Sequence, residues 1–454
     1  MNSDGLDVDV ELFAGTPLEL QILFYVVLAI TLSSLLSLTV LVVASSRYRR
    51  RRKRPHPSGD VGESDFLWVF MVPALNEEVT IADSVSRLLQ TQCTNKIILA
   101  INDGSEDATA SVLAGIESDN LHVLTRVPPR ARVGKAAALN EAFEHVRTNL
   151  LRQDRYARFS PDQVILGIID ADGRLDIDAP EKVAWHFADE QLGGVQLRVR
   201  IYNRRGFLTW AQDVEFSAFA YVFQSGRATW GTANMGGNGQ FNRLSALAEV
   251  AEDEGPWRDR LTEDQDLGVR LVQAGWRGSQ ENLAVINQQG LNNLRRLLRQ
   301  RTRWAQGAWQ ALDLLPASAR INAAFVARVD AVFYLLTPVL QLITGVALVA
   351  TLILAGVHGI SLIPSTIVFM VLFLCLGFGP GLVTLLLRGN GWRQFGYALL
   401  VVIPYTAYSW LVFPALVRGL GRHLVGRRTW AKTAREPLQL ESDPDPSASD
   451  ARVG

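Results

Sequence analysis

The chain has 454 residues, 45 basic against 45 acidic side chains, and a 48% hydrophobic fraction. A net charge of zero leaves no electrostatic footprint for a nucleic acid, and no such partner is expected. Cys93 and Cys375 stand too far apart for a disulfide framework or a Cys/His metal site, so any metal is expected to be held by carboxylates, the donors of hard ions such as Mg2+ or Mn2+. Residues 1–17 carry four acidic residues and no Lys or Arg, and read as an extracytoplasmic N-terminus. Residues 18–44 are apolar with one charge near the start, longer than the roughly 20 residues that cross a bilayer. No basic segment precedes them, which argues against a secretory signal. Residues 45–64 form a basic linker. Its run from Arg47 to Arg54 assigns the following chain to the cytoplasm by the positive-inside rule, and suits anionic membrane lipids.

Residues 65–290 alternate short apolar runs with helical patterns. Strands are predicted at 66–72 (FLWVFMV), 96–101 (KIILAI), 121–124 and 164–169 (VILGII), and helices at 77–89, 107–116 and 134–146. This alternation predicts an α/β domain on a mostly parallel, Rossmann-like sheet covered on both faces, with ligands beyond the carboxyl ends of the strands. Pro73 to Glu78, Asp103, and the pair Asp170 and Asp172 all fall at such ends. Two carboxylates closing a buried strand need compensation for lost hydration, and a divalent ion shared with substrate phosphates supplies it.

Gly236-Gly237-Asn238-Gly239 is a glycine-dense turn suited to lining an acceptor groove with Gly237 and Asn238. Thr262-Glu263-Asp264-Gln265 has the form of a capping box with acidic residues in the first helical turn. A helix start of this kind can hold one carboxylate rigidly while its neighbour accepts a proton. Residues 291–330 read as interfacial amphipathic helices: Leu294, Leu297 and Leu298 share one face, Trp304 and Trp309 suit headgroup anchoring, and Arg303 and Trp304 suit phosphate and a sugar ring. Residues 331–420 contain three apolar stretches, 331–357, 361–387 and 395–417, and residues 421–454 a basic, then disordered tail. Four full crossings would put the basic residues from Arg418 to Arg435 outside. Either one stretch crosses only in part, as Pro338, Pro380 and Pro404 allow, or the tail departs from the rule.

Seven segments follow one another in order: VPALNEE (72–78), NDGSEDAT (102–109), GKAAALN (134–140), DAD (170–172), GGNGQF (236–241), TED (262–264) and QRTRW (300–304). Together they resemble the family 2 glycosyltransferases, specifically the membrane-integrated branch of cellulose, chitin and hyaluronan synthases, over about residues 66–310. The resemblance implies a GT-A fold, a UDP-sugar donor, Mg2+ or Mn2+, and inversion at the anomeric carbon. It puts Pro73, Asn76, Glu77, Asp103 and Lys135 at the donor, with Asn76, Glu77 and Asp103 near uridine. Asp170 and Asp172 would serve the diphosphate and metal, Asp172 being the better ligand. Asp264 would be the catalytic base with Glu263 beside it; Arg303 would meet the diphosphate, and Gln300 and Trp304 the acceptor. The expected product is a cell-surface polysaccharide. The alternative is a glycolipid built on an acceptor such as diacylglycerol, because the predicted spans are few for a polymer channel. The expected setting is the cell membrane, crossed several times, with a cytoplasmic catalytic domain and with export or assembly partners.

Overall fold

The computed structural model describes residues 18–52, 61–358, 386 and 392–426. Eight strands form one sheet: β1 (Leu67–Ala74), β2 (Lys96–Asn102), β3 (Leu121–Thr125), β4 (Val164–Ile168), β5 (Arg174–Leu175), β6 (Leu192–Ile201), β7 (Gln240–Arg243) and β8 (Arg277–Gln288). Their order is β3-β2-β1-β4-β7-β6-β8-β5. The pairs among β3, β2, β1 and β4 are parallel. Pairing turns antiparallel at β4–β7 and β7–β6, returns to parallel at β6–β8 and closes antiparallel at β8–β5. The sheet is therefore mixed, with parallel pairs in the majority.

Side chains alternate across β1 as a strand with two covered faces requires. Trp68, Phe70 and Val72 pack with Ile81, Val85 and Leu88 in one layer. Leu67, Val69 and Met71 pack with Leu139, Ala142 and Phe143 in the other. Each such side chain contributes about 1.5–3 kcal/mol on full burial, which fixes the strand ends in space. The helix expected from residue 77 begins only at Ile81. Asn76 takes φ 53°, and the Glu77 and Glu78 N–H groups donate to Thr109 Oγ1 and Asp107 Oδ2 instead of opening a helix.

Among the described residues, three segments are long and apolar enough to cross a membrane: Gln21–Arg51, Phe325–Ala347 and Gly396–Leu424. The first lies in one continuous helix, Leu18–Arg52, which runs past the expected end at 44 because nothing in its Ser and Arg residues breaks it. Its polar end is tied to the sheet, where Tyr48 Oη donates to the Gln280 carbonyl at 2.6 Å. The last segment is not one straight helix. Trp392–Ser409 and Val412–Leu424 are separated by a turn, and the second packs Ala415, Leu416 and Gly419 inward. Apart from Leu386, the apolar stretch at 361–387 lies outside the described residues.

Candidate active site

A cavity of about 550 Å³ opens beyond the carboxyl ends of β1, β2 and β4 and runs to the apolar helices Phe325–His358 and Val412–Leu424. It brings together Pro73, Glu77, Asp103, Lys135, Asp170, Asp172, Gly237, Asn238, Glu263, Asp264, Gln300, Arg303 and Trp304. Of the residues expected to bind donor, acceptor or metal or to act as the base, all but Asn76 line this wall. Its side chain shapes the neighbouring turn, accepting from the Glu106 N–H at 2.8 Å.

On the β2 side, the Asp103 carboxylate accepts from the Arg132 N–H at 3.0 Å and from the buried Arg126 guanidinium. Burial pushes its carboxyl upward against these donors. At the end of β4, the Asp170 N–H donates to Asn238 Oδ1 at 3.0 Å, and Asn238 Nδ2 donates to Gln288 Oε1 at 3.0 Å. The glycine-dense turn thus holds the acidic pair in place. Asp172 is buried, and its Oδ2 accepts a long 3.3 Å bond from the Gln289 N–H. Two carboxylates facing one cavity form an all-oxygen donor set that fits a hard divalent ion completed by substrate phosphates. Among the described residues there is no cluster of three or more His, Cys, Asp or Glu side chains able to hold a metal without such help.

Glu263 and Asp264 open the helix Glu263–Gln273. Thr262 does not cap it: its side chain makes no cap hydrogen bond and meets Gln265 Oε1 at 3.3 Å. The expected capping box is therefore absent, because Thr262 is packed against Gly307, where a methyl group would lie 2.4 Å from Thr262 Oγ1. Gly237, at φ +84°, passes so close to Asp264 that a methyl group there would lie 2.7 Å from Oδ2. Lys135 joins the two acidic motifs, with Nζ 2.7 Å from Asp170 Oδ1 and 3.8 Å from Glu263 Oε1. Burial opposes its charge, but Asp170 and Glu263 hold the ammonium above its ordinary value. Burial pushes Glu263 from 4.5 up to about 7, with Lys135 opposing and Asp264 adding to the rise. Asp264 is likewise raised by burial, against Lys135 and the Gln265 N–H.

The opposite wall is the helix Leu294–Gln310, which carries QRTRW. Arg303 Nη1 donates to the Leu261 carbonyl at 3.1 Å, close to the acidic helix start. The Arg301 guanidinium lies 4.2 Å from the Trp304 ring centroid, and Phe216 meets the same indole edge-on at 6.2 Å. Trp309 is not a lipid-facing anchor: it is buried, and its indole N–H donates to the Leu416 carbonyl at 3.2 Å. Leu294, expected on the apolar face, is 45% exposed, since packing begins one turn later at Leu297.

Several wall residues were not anticipated: Glu215, Phe216 and Phe219 from the segment 207–224, Arg301, Tyr334, and Gln288 at the end of β8. Arg301 left a readable trace. It stands four residues after Leu297, so helical spacing puts a charge on the buried face.

Residues 165–416, more than half of the chain, match the family described as glycosyl transferase family group 2. The chain belongs to that family. The match runs from β4 through the QRTRW helix into Val412–Leu424, and residues 69–250 also match glycosyl transferase family 2. β-Monoglucosyldiacylglycerol synthase of Synechocystis sp. is 30% identical over 263 residues, 56% of this chain and 51% of its own length. Poly-β-1,6-N-acetyl-D-glucosamine synthase of Staphylococcus aureus is 31% identical over 245 residues, 54% of this chain and 55% of its own. The chain spans about half the length of the curated relatives it matches. A solved mannosyltransferase from Pyrobaculum calidifontis, in complex with GDP-Man and Mn2+, superposes with a TM-score of 0.58 at 19% identity, over 89% of this chain and 99% of that one. That likeness is one of fold.

Proposed function

We propose that the protein is an inverting glycosyltransferase of the membrane, moving a sugar from a UDP-sugar to a growing cell-surface polysaccharide. The observation that carries this reading is the single cavity walled by DAD, TED and QRTRW and closed by membrane helices. The donor lies with its nucleoside along Glu77 and Asp103 and its diphosphate between Asp170, Asp172 and Arg303. Asp172 and Asp170 would hold Mg2+ or Mn2+, whose charge offsets that of the departing diphosphate. Asp264 takes the proton from the acceptor hydroxyl as that oxygen attacks the anomeric carbon, and the bond to the diphosphate breaks in the same displacement. With the base and the leaving group on opposite sides of the sugar, an α-linked donor gives a β-linked product. The Arg-rich end of Leu18–Arg52 supports a cytoplasmic catalytic domain.

One feature favours a second reading, transfer of one or few sugars to a membrane lipid. The far end of the cavity is lined by Leu335, Pro338, Val412, Ala415 and Leu416 from the membrane helices, a wall suited to acyl chains. Membranes incubated with labelled UDP-sugars separate the two. Label in a large water-soluble product supports the polysaccharide. Label that extracts into organic solvent and is lost on mild alkaline hydrolysis identifies a glycolipid and overturns it.

A further inference from the structure

The QRTRW helix Leu294–Gln310 and the helix Val412–Leu424 lie antiparallel against each other. The Trp309 indole N–H donates to the Leu416 carbonyl, while a methyl group at Gly419 would lie 2.9 Å from the Gln306 backbone nitrogen. That register puts Leu424 and Val425 beside the turn that holds Arg299. Ala415, Leu416 and Gly419 face inward, and Val417, Arg418, Leu424 and Val425 face outward at helical spacing. The outward face is both apolar and basic. Leu424 is 75% exposed and Val425 71%, and Arg418 is exposed with them. On the QRTRW helix, Leu294, Arg295 and Arg299 are exposed, the two cations one turn apart, where like charges repel. Among the described residues none of Arg295, Arg299 and Arg418 makes an ion pair, and neither helix contains an acidic residue. Nothing within these helices offsets the charge.

Aromatic rings border this face. Phe207 is 49% exposed and stacks on Trp210 with ring centroids 6.0 Å apart, and Trp210 meets Tyr405 edge-on at 6.5 Å. Tyr405 lies near the end of Trp392–Ser409, within the apolar segment Gly396–Leu424. Aromatic rings at the end of an apolar helix, bordered by Arg and by exposed Leu and Val, suit the boundary between lipid headgroups and acyl chains. We propose that the outer faces of Leu294–Gln310 and Val412–Leu424 dock on anionic phospholipid. Arg295, Arg299 and Arg418 meet the headgroups, and Leu294, Leu424 and Val425 enter the acyl boundary. Val412–Leu424 then lies along the bilayer surface instead of completing a crossing. Two anchors agree with that placement. Asp330, near the start of Phe325–His358, pairs with Arg227, and Tyr408, near the end of Trp392–Ser409, donates to Glu215 Oε2 at 2.7 Å. The chain thus leaves the α/β domain and rejoins it on one side, which keeps the basic residues from Arg418 onward with the domain, as the positive-inside rule asks.

This surface does not rest on the transferase reading, and its test reads lipid contact alone. The full-length protein is placed in phosphatidylcholine vesicles carrying either spin-labelled phosphatidylglycerol or spin-labelled phosphatidylcholine. The fraction of label immobilised by the protein gives the relative association of the two lipids. The expected result is a preference for phosphatidylglycerol that weakens at high salt. Replacing the three cations together, Arg295→Gln, Arg299→Gln and Arg418→Gln, is expected to reduce that preference about fivefold or more. Equal association of the two lipids with the unaltered protein hands the face to a protein partner or a second copy of this chain, and overturns the proposal. A preference that survives the triple substitution unchanged belongs to the basic run from Arg47 to Arg54, and overturns it as well. The comparison of lipids on the unaltered protein stands even if the variant does not fold.

Discussion

Glu263 and Asp264 are neighbours in sequence with unlike surroundings. Glu263 is buried and faces Lys135, whereas Asp264 is half-buried at the cavity wall behind Gly237. In the proposed mechanism Asp264 accepts the proton, so Asp264→Asn is expected to lower kcat by about 10²–10⁴-fold. A steady-state UDP-release assay should show that loss with little change in donor KM. The raised carboxyl of Asp264 also sets a pH dependence: kcat/KM is expected to fall with decreasing pH as Asp264 takes up a proton, and to do so above the ordinary carboxylate range because burial raises this group. Stability runs the other way. Between 4.5 and about 7 the folded protein keeps a proton on Glu263 that the unfolded chain has released, so stability falls as pH rises through this window. Glu263→Gln should flatten that slope in melting curves taken across the range.

Two glycines set how closely the surrounding elements approach. A side chain at Gly237 is opposed both by its φ of +84° and by the 2.7 Å approach to Asp264, so Gly237→Ala is expected to cost about 1–3 kcal/mol and to displace the proposed base. Activity lost with the fold retained, read by circular dichroism and UDP release together, checks this. Gly307 does the same for the QRTRW helix against Thr262. The parallel half of the sheet was legible because β1, β2 and β4 are apolar runs ending at motif residues. The other half was hidden by its polarity: Gln196, Gln280 and Glu281 are buried in β6 and β8, where backbone hydrogen bonding rather than apolar spacing makes the strand. Glu215 and Tyr408 could not be read as partners, since they lie 193 residues apart and no local pattern links them.

At the scale of the whole molecule, helices apolar enough to cross a membrane form part of the wall of the candidate active-site cavity. Arg227 beside the sheet and Asp330 on the helix Phe325–His358 form a buried two-point ion pair, with Nε–Oδ2 at 2.7 Å and Nη2–Oδ1 at 3.2 Å. Asp330→Ala leaves a buried guanidinium without its counter-charge and is expected to cost about 3–5 kcal/mol, measurable by thermal unfolding in detergent. A much smaller loss would mean that the helix docks by apolar contact alone. Tyr48, Tyr334 and Tyr408 make further hydrogen bonds between these apolar helices and the α/β domain, and Leu416 makes one with Trp309 of the QRTRW helix. In the proposed reaction this geometry keeps the acceptor hydroxyl beside the bilayer while Asp264 and the diphosphate site flank the donor sugar. The most direct measurement is the anomeric configuration of the product made by the purified protein from an α-linked UDP-sugar with Mn2+, compared with Asp264→Asn. The expected product is β-linked, depends on Mn2+ and is lost in the variant; an α-linked product, or undiminished product from Asp264→Asn, would contradict the proposed mechanism.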